Sequence, residues 1–209
     1  MSKNLLSGEL KIGASDTLCQ YYLLPLLETF HKTYPEVKLR VSNRTTPETI
    51  ELLKRGAVDI AFVNLPIDDE ALCIKKTMRV HDVFIAGKKY DYLKEDILSL
   101  SDIAKLPLIL LETASNSRRY IDEYAKARGV TLTPQIELGA HGLLVEFARI
   151  NLGICCVTRE FCNTALKSGD VFELKTDMPI PDRTLGMVWL CGVPLSAAAL
   201  HFSNLIQIS

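Results

Sequence analysis

The strongest constraint on the fold is a repeated change from an apolar, strand-like run to a helix that begins with small polar residues. The first case is the strand Glu9–Ala14, which is followed by Ser15, Asp16 and Thr17 and then by a long apolar helix. Ser, Thr and Asp cap helices, and the free N–H groups at a helix N-terminus attract polar and anionic groups. In an open α/β sheet, ligands bind at such junctions. The pattern therefore predicts an α/β fold with a small-molecule site.

The alternation of strands and helices continues along the chain. Predicted strands are Glu9–Ala14, Val37–Val41, Val58–Val63, Val83–Ala86, Leu106–Leu111, Gln135–Leu138, Gly153–Val157, Val171–Leu174 and Thr184–Leu190. Predicted helices are Thr17–Thr33, Thr45 to the Lys54-Arg55-Gly56 stop, Ser115 to Arg128, Leu143–Asn151, Glu160–Lys167 and Ser196–Gln207. Pro25 must kink the first helix or lie in its first turn.

This order predicts two Rossmann-like lobes built from right-handed βαβ units. We expect lobe I to comprise residues 8–86 and 184–209 and lobe II to comprise residues 87–183, so that the chain crosses between lobes twice. That topology would place a central cleft at the helix N-termini of both lobes.

Composition excludes several classes of protein. The formal net charge of −1 provides no basic field that would hold DNA. No run of 18 or more apolar residues is present, so we expect no membrane-spanning helix. Residues Met1–Asn4 lack the basic head of a signal peptide, which favours a cytoplasmic protein.

Chemically reactive residues show no catalytic or metal-binding spacing. None of the G-x-S-x-G, H-E-x-x-H, P-loop or G-x-G-x-x-G motifs occurs, so we expect neither an enzyme nor a cofactor or metal site. The six cysteines lack C-x-x-C spacing and are expected to be reduced, structural thiols. A redox sensor that uses Cys162 with Cys155 or Cys156 remains an alternative.

The opening Gly-x-Leu-x-Ile-Gly-Ala-Ser-x-Thr-Leu motif is followed by Leu24-Pro25, Tyr34-Pro35-x-Val37 and Leu53-x-x-Gly56-x-x-Asp59-Ile-Ala. With Leu106-Pro107-Leu108-Ile109 and Leu152-Gly153-Ile154, this series closely resembles the effector-binding domain of LysR-type transcriptional regulators. The resemblance implies a two-lobed fold like type 2 periplasmic binding proteins, with a small polar or anionic effector in the cleft. It also implies a winged helix-turn-helix and a linker helix before Gly8, through which alone the protein would bind DNA.

Carried over by position, the resemblance implies an effector site at the junctions of both lobes. The implied residues are Ser15, Asp16, Thr17, Thr45, Thr46, Asn64, Leu65, Pro66, Ser115, Asn116, Ser117, Gly139, Ala140, His141, Gly142 and Thr158. Thr158 stands where many relatives carry proline. With an ordinary pKa near ~6.5, His141 would be able to pair with an acidic effector. Taken as isolated residues, Ser15, Thr46 and Ser117 are helix caps alone, and Arg118 and Arg119 lie on a solvated helix face.

The resemblance also implies a homodimer or tetramer in which subunits pair antiparallel. The apolar residues expected at that interface are Leu23 and Leu27 on the first helix and Leu144, Val145 and Ala148 on a helix of lobe II.

The alternative to a regulatory domain is a solute-binding protein of a transporter, which shares the fold but is exported. The absence of a signal peptide and the six unpatterned cysteines argue against it.

Overall fold

The computed structural model describes residues 6–206. Three predictions fall partly or wholly outside this range. They are the one made for Met1–Asn4, the end of the last helix at Gln207, and the final residues of lobe I. The chain divides into two compact units. The first unit comprises Met1–Arg79 and Thr184–Ser209, and the second comprises Val80–Arg183.

The first unit is built on a five-stranded sheet in the order β2-β1-β3-β12-β4. Its strands are β1 (Gly8–Ala14), β2 (Val37–Asn43), β3 (Ile60–Leu65), β4 (Leu72–Val80) and β12 (Arg183–Leu190). β1 pairs in parallel with both β2 and β3, while β12 runs antiparallel to β3. The carboxyl ends of β1, β2 and β3 therefore lie at one edge of the sheet.

The helices of the first unit are α1 (Asp16–Leu18), α2 (Leu24–Thr33), α3 (Thr46–Lys54) and α8 (Ala197–Leu205). The helix predicted over 17–33 is not continuous, because a π-helical turn, Cys19–Leu23, separates α1 from α2. Pro25 lies in the first turn of α2, as predicted, where its missing N–H group costs no helical hydrogen bond. The stop of α3 is also confirmed, with Gly56 in the left-handed region at φ 71°.

The second unit has a five-stranded sheet in the order β10-β5-β9-β7-β8 and a two-stranded pair, β11-β6. The strands are β5 (Asp82–Gly87), β6 (Ile97–Leu98), β7 (Leu108–Leu111), β8 (Ile136–Leu138), β9 (Ile154–Thr158), β10 (Val171–Glu173) and β11 (Lys175–Thr176). The helices are α4 (Leu100–Ala104), α5 (Asn116–Lys126), α6 (His141–Arg149) and α7 (Asn163–Ser168). Each face of the large sheet carries its own apolar core, one including Phe84 and Tyr124 and the other Ile85 and Leu144.

The structure differs from the sequence-based prediction at the first crossing of the chain between units. The strand containing Val83–Ala86 was assigned to lobe I, whereas β5 pairs with β9 and β10 in the sheet of the second unit. All six residues of β5 are buried there. The nine-residue strand β4 was missed, because Lys75 and Lys76 interrupt its apolar pattern and it lies at the sheet edge.

The cysteines also differ from expectation. Cys73 and Cys191 form a disulfide in the first unit, although they are separated by 118 residues in sequence. Burial raises the pKa of the Cys155 thiol to about 12 and that of Cys162 to about 11. Because reactive thiols need a lowered pKa, these buried groups are poor candidates for a redox sensor.

Candidate functional site

Three groups of predicted site residues come together at the carboxyl edge of the first sheet. Ala14, the last residue of β1, lies beside Asn43 of β2 and Phe62 of β3. The residues that follow these parallel strands therefore share one edge. They are Ser15, Asp16 and Thr17 after β1, Thr45 and Thr46 after β2, and Asn64, Leu65 and Pro66 at the end of β3.

Hydrogen bonds fix the junction between β1 and α1. Ser15 Oγ accepts a hydrogen bond from the Leu18 N–H group at 3.3 Å, so Ser15 caps the helix. The Asp16 carboxylate accepts from the side-chain amide of Asn43, and the Arg44 N–H donates to the Ala14 carbonyl at 3.1 Å. These bonds tie the ends of β1 and β2 together and leave Asp16 as a negative charge at this edge.

The start of α3 is held by a cap of its own. Glu48 Oε2 accepts hydrogen bonds from the Thr45 N–H group at 3.0 Å and from the Thr45 hydroxyl at 2.8 Å. The Thr45 hydroxyl proton is thus used within the cap, while Thr46 occupies the first position of the helix. Leu65 packs closely on Gly186 of β12, and its peptide bond to Pro66 is cis.

The sheet of the second unit also has an edge formed by the carboxyl ends of parallel strands. β7 runs parallel to both β8 and β9, so the residues after these three strands lie on the same side of the sheet. The predicted residues there are Ser115, Asn116 and Ser117 after β7, Gly139, Ala140, His141 and Gly142 after β8, and Thr158 at the end of β9. Ser115 is the N-cap of α5, and Gly139 lies close to the carboxylate of Glu112.

A buried polar network lies at this second edge. The Asp82 carboxylate binds Arg183 through Nε at 2.5 Å and Nη2 at 2.8 Å, and both residues are about 5% exposed. Asp82 Oδ1 and Arg183 Nη2 each lie 3.2 Å from the Thr158 hydroxyl. Burial opposes the charge on Arg183, but hydrogen bonding to Asp82 and the attraction of its negative charge together outweigh burial and raise the pKa of the guanidinium. The network therefore remains an ion pair that holds Thr158 in place.

His141 joins this network in its neutral form. Its Nε2 accepts a hydrogen bond from the Thr158 N–H group at 2.9 Å. Burial lowers the pKa of His141 to about 4. The expectation that His141 pairs as a cation with an acidic effector is therefore wrong, because the folded protein excludes its charge at neutral pH.

Other side chains also occupy places that the sequence did not indicate. Arg118 is buried rather than solvated, since its Nη1 donates to the Leu111 carbonyl at 2.7 Å and its Nε contacts Asp122 at 2.8 Å. Asp82 and Arg183 were missed altogether. They are 101 residues apart, and no local motif links two single opposite charges at that distance.

The residues proposed for subunit pairing are largely internal. Leu23, Leu144 and Ala148 are fully buried, and Val145 is 9% exposed. The exposed apolar side chains on the same segments are instead Leu24 at 57%, Leu143 at 46% and Ile150 at 60%.

Within residues 6–206, no three His, Cys, Asp or Glu side chains are grouped closely enough to hold a metal ion. No helix in the same range combines the length and apolar character needed to cross a membrane.

The fold is shared with solved regulatory domains. The cofactor-binding domain of the Cbl transcriptional regulator superposes with a TM-score of 0.87 at 22% identity, covering 99% of this chain and 91% of that one. The Synechocystis PCC6803 CcmR regulatory domain in complex with 2-PG gives 0.82 at 19% identity, and the effector-binding domain of QuiR in complex with shikimate gives 0.79 at 18%. Each comparison covers 95% of both chains. The predicted α/β, periplasmic-binding-protein-like fold class is confirmed.

Curated relatives match most of this chain but only part of their own length. The chain is 27% identical to the phosphonates import ATP-binding protein PhnC of Anaeromyxobacter dehalogenans, over 91% of this chain and 39% of that protein. It is 25% identical to the transcriptional regulator EstR of Acinetobacter baylyi, over 92% of this chain and 64% of that protein. The LysR substrate binding domain model matches residues 3–208, and the chain therefore belongs to the LysR substrate-binding domain family.

Proposed function

We propose that this chain is the ligand-sensing domain of a LysR-type transcriptional regulator. The observation that carries the proposal is the family match over residues 3–208, on a fold shared with regulatory domains solved with 2-PG and with shikimate. The proposed ligand is a small polar or anionic effector. The family match does not favour the alternative of a transporter solute-binding protein.

The proposed effector site consists of the residues at the carboxyl edges of the two sheets. In the first unit these are Ser15–Thr17, Thr45–Thr46 and Asn64–Pro66, and in the second they are Ser115–Ser117, Gly139–Gly142 and Thr158. Hydroxyl, amide and backbone N–H groups at helix starts suit an anion, because they donate hydrogen bonds at the positive end of the helix dipole. His141 would contribute there as a neutral group, and Asp16 would select against ligands that place a negative charge beside it.

We further propose that the effector acts by shifting a population of conformations. A ligand changes such an equilibrium only by binding one conformation better than another. In the complete regulator, the proposed change would be transmitted to an N-terminal DNA-binding domain through a homodimer or tetramer in the cytoplasm. The exposed Leu24, Leu143 and Ile150 are candidates for subunit contacts. The proposed role is regulatory rather than catalytic.

The test is a binding screen followed by one substitution at the proposed site. The probes are shikimate, 2-PG, inorganic sulfate, inorganic phosphate and a series of small carboxylates, each measured by thermal shift and then by titration calorimetry. Thr46→Val should retain the fold and weaken binding of the best probe by roughly 1–3 kcal/mol, the cost of a lost hydrogen bond to a charged group.

The matched control is Thr33→Val, which changes an exposed threonine at the end of α2. If the control weakens binding as much as Thr46→Val does, Thr46 is not part of the site. If none of the probes binds, the assignment of a polar or anionic effector is refuted.

A further inference from the structure

The second unit contains a cavity of about 340 Å3, and its lining residue Asp82 also contacts the hydroxyl of Thr158, a proposed effector residue. This volume falls in the range of small-molecule sites, roughly 300–1,000 Å3. None of the sixteen effector residues predicted from sequence lines it. The cavity is formed by β5, α4, α5, the segment 173–176 that includes the ends of β10 and β11, the segment 178–182, and the side chains of His81 and Arg159.

One part of the cavity wall is apolar and well anchored. Phe84, Ile103 and Leu174 are 3% exposed or less, and they line the cavity on the side of the core. The segment 178–182 is fixed at two points, since Tyr124 Oη donates to the Met178 carbonyl at 3.0 Å and Tyr120 Oη donates to the Pro181 carbonyl at 2.9 Å. The cavity therefore has a defined shape that suits a hydrocarbon group.

The remaining wall is a connected cluster of charged side chains. Arg159 binds Glu173 through two hydrogen bonds, of 2.9 Å and 2.6 Å. His81 lies between Glu160, at 2.5 Å from Nδ1, and Asp182, at 3.2 Å from Nε2. The Arg159 N–H group donates to the His81 carbonyl at 2.8 Å, which links the Arg159–Glu173 pair to the His81 contacts.

The sign of the charge in this cluster decides which ligands it accepts. Three carboxylates line the cavity, those of Asp82, Glu173 and Asp182, beside one guanidinium group, Arg159, and one imidazole, His81. Glu160 and Arg183 do not line it but pair with His81 and Asp82. Both guanidinium groups are already bound to carboxylates. An anionic ligand would meet repulsion from the surrounding carboxylates, whereas a cationic ligand adds an opposite charge to a site with excess negative charge.

We propose that this cavity is a binding site for a small primary amine, with its ammonium group against the Glu173 and Asp182 carboxylates and its hydrocarbon part, one ring or a short chain, against Phe84 and Ile103. This site goes beyond the proposed effector function and prefers the opposite ligand charge. It is contained within the second unit, so its occupation does not depend on residues of the first.

The experiment compares three probes of similar shape and different charge: phenethylamine, 2-phenylethanol and 3-phenylpropionate. Each is titrated into the complete chain by calorimetry and by chemical-shift mapping. We expect phenethylamine to bind at least tenfold more tightly than 3-phenylpropionate, with 2-phenylethanol between them. The shifts should be centred on residues 81–84, 100–103 and 173–182.

Substitutions then test the position and the charge of the site. Asp182→Asn should weaken phenethylamine binding at least threefold, whereas Asp177→Asn, an exposed neighbour outside the cavity, should leave it unchanged. Leu100→Trp should fill the cavity and abolish binding, while the equally bulky Leu152→Trp on the surface should not. Thermal unfolding of each variant verifies that it is folded.

Several outcomes would overturn the proposal. These are the absence of phenethylamine binding, equal affinity for the amine and the carboxylate, or full retention of binding in Leu100→Trp. Loss of phenethylamine binding in Thr46→Val would also refute it, because the amine would then occupy the proposed effector site. Failure of the anion screen described above leaves all of these measurements unaffected, so the two proposals fail separately.

Discussion

Acidification should destabilise the protein through His141 more than through an exposed histidine. The ring is 3% exposed, its Nε2 is engaged by the Thr158 N–H group, and burial lowers its pKa to about 4. In the unfolded chain, the same ring has a pKa near ~6.5. Below that pH the unfolded state binds a proton that the folded state does not, so the stability of the fold decreases as the pH falls.

The size of this effect follows from the difference between the two pKa values. Each pH unit between 6.5 and 4 costs about 1.4 kcal/mol, so the full difference is about 3 kcal/mol. At pH 5, which lies about 1.5 units below the unfolded value, the cost from this group is about 2 kcal/mol. The loss of stability is absent above pH ~6.5. It grows as the pH falls and reaches its full size at pH ~4.

The assay is urea unfolding of the wild-type chain and of His141→Gln at pH 7, 6 and 5. Glutamine places an acceptor oxygen near the position of Nε2 but does not titrate, so the variant should lose about 2 kcal/mol less than the wild type between pH 7 and pH 5. His31→Gln, on the exposed side of α2, serves as the matched control and should follow the wild type. Equal pH dependence in wild type and His141→Gln, or an NMR titration midpoint of His141 near ~6.5, would refute the reasoning.

Two further predictions concern long-range links in the chain. Asp82→Asn leaves the Arg183 guanidinium, 5% exposed, without its carboxylate, and should lower the free energy of unfolding by about 3–5 kcal/mol in urea titrations. Asp82→Leu combined with Arg183→Met should recover most of that loss, and a double variant no more stable than Asp82→Asn would contradict the buried-charge explanation. Reduction of the Cys73–Cys191 disulfide should lower stability by about 2–4 kcal/mol, because it releases a long closed loop in the unfolded chain. Cys73→Ser with Cys191→Ser should lose the same amount and become insensitive to dithiothreitol, and an unchanged response to the reductant in that variant would rule out this bond as the cause.

Local signals in the sequence were sufficient for many elements of the fold. The start of α3 at Thr46-Pro47 and its end before Gly56 were predicted, because cap residues act within one turn of their own helix. The buried strand β7 and the polar starts of α5 and α6 were also predicted, to within a few residues. The positions of the proposed effector residues follow from these elements, since parallel strands bring their carboxyl ends to one edge.

The sequence by itself thus determined the alternation of strands and helices, the family, and the polar junctions where an effector is proposed to bind. Only the tertiary structure decided the pairing of Asp82 with Arg183, the disulfide between Cys73 and Cys191, the neutral state of His141 and the cavity below the segment 178–182. The physical reason is range. Capping and hydrophobic periodicity act over a few residues, whereas burial, ion pairing and cavities arise where segments separated in the sequence are packed together.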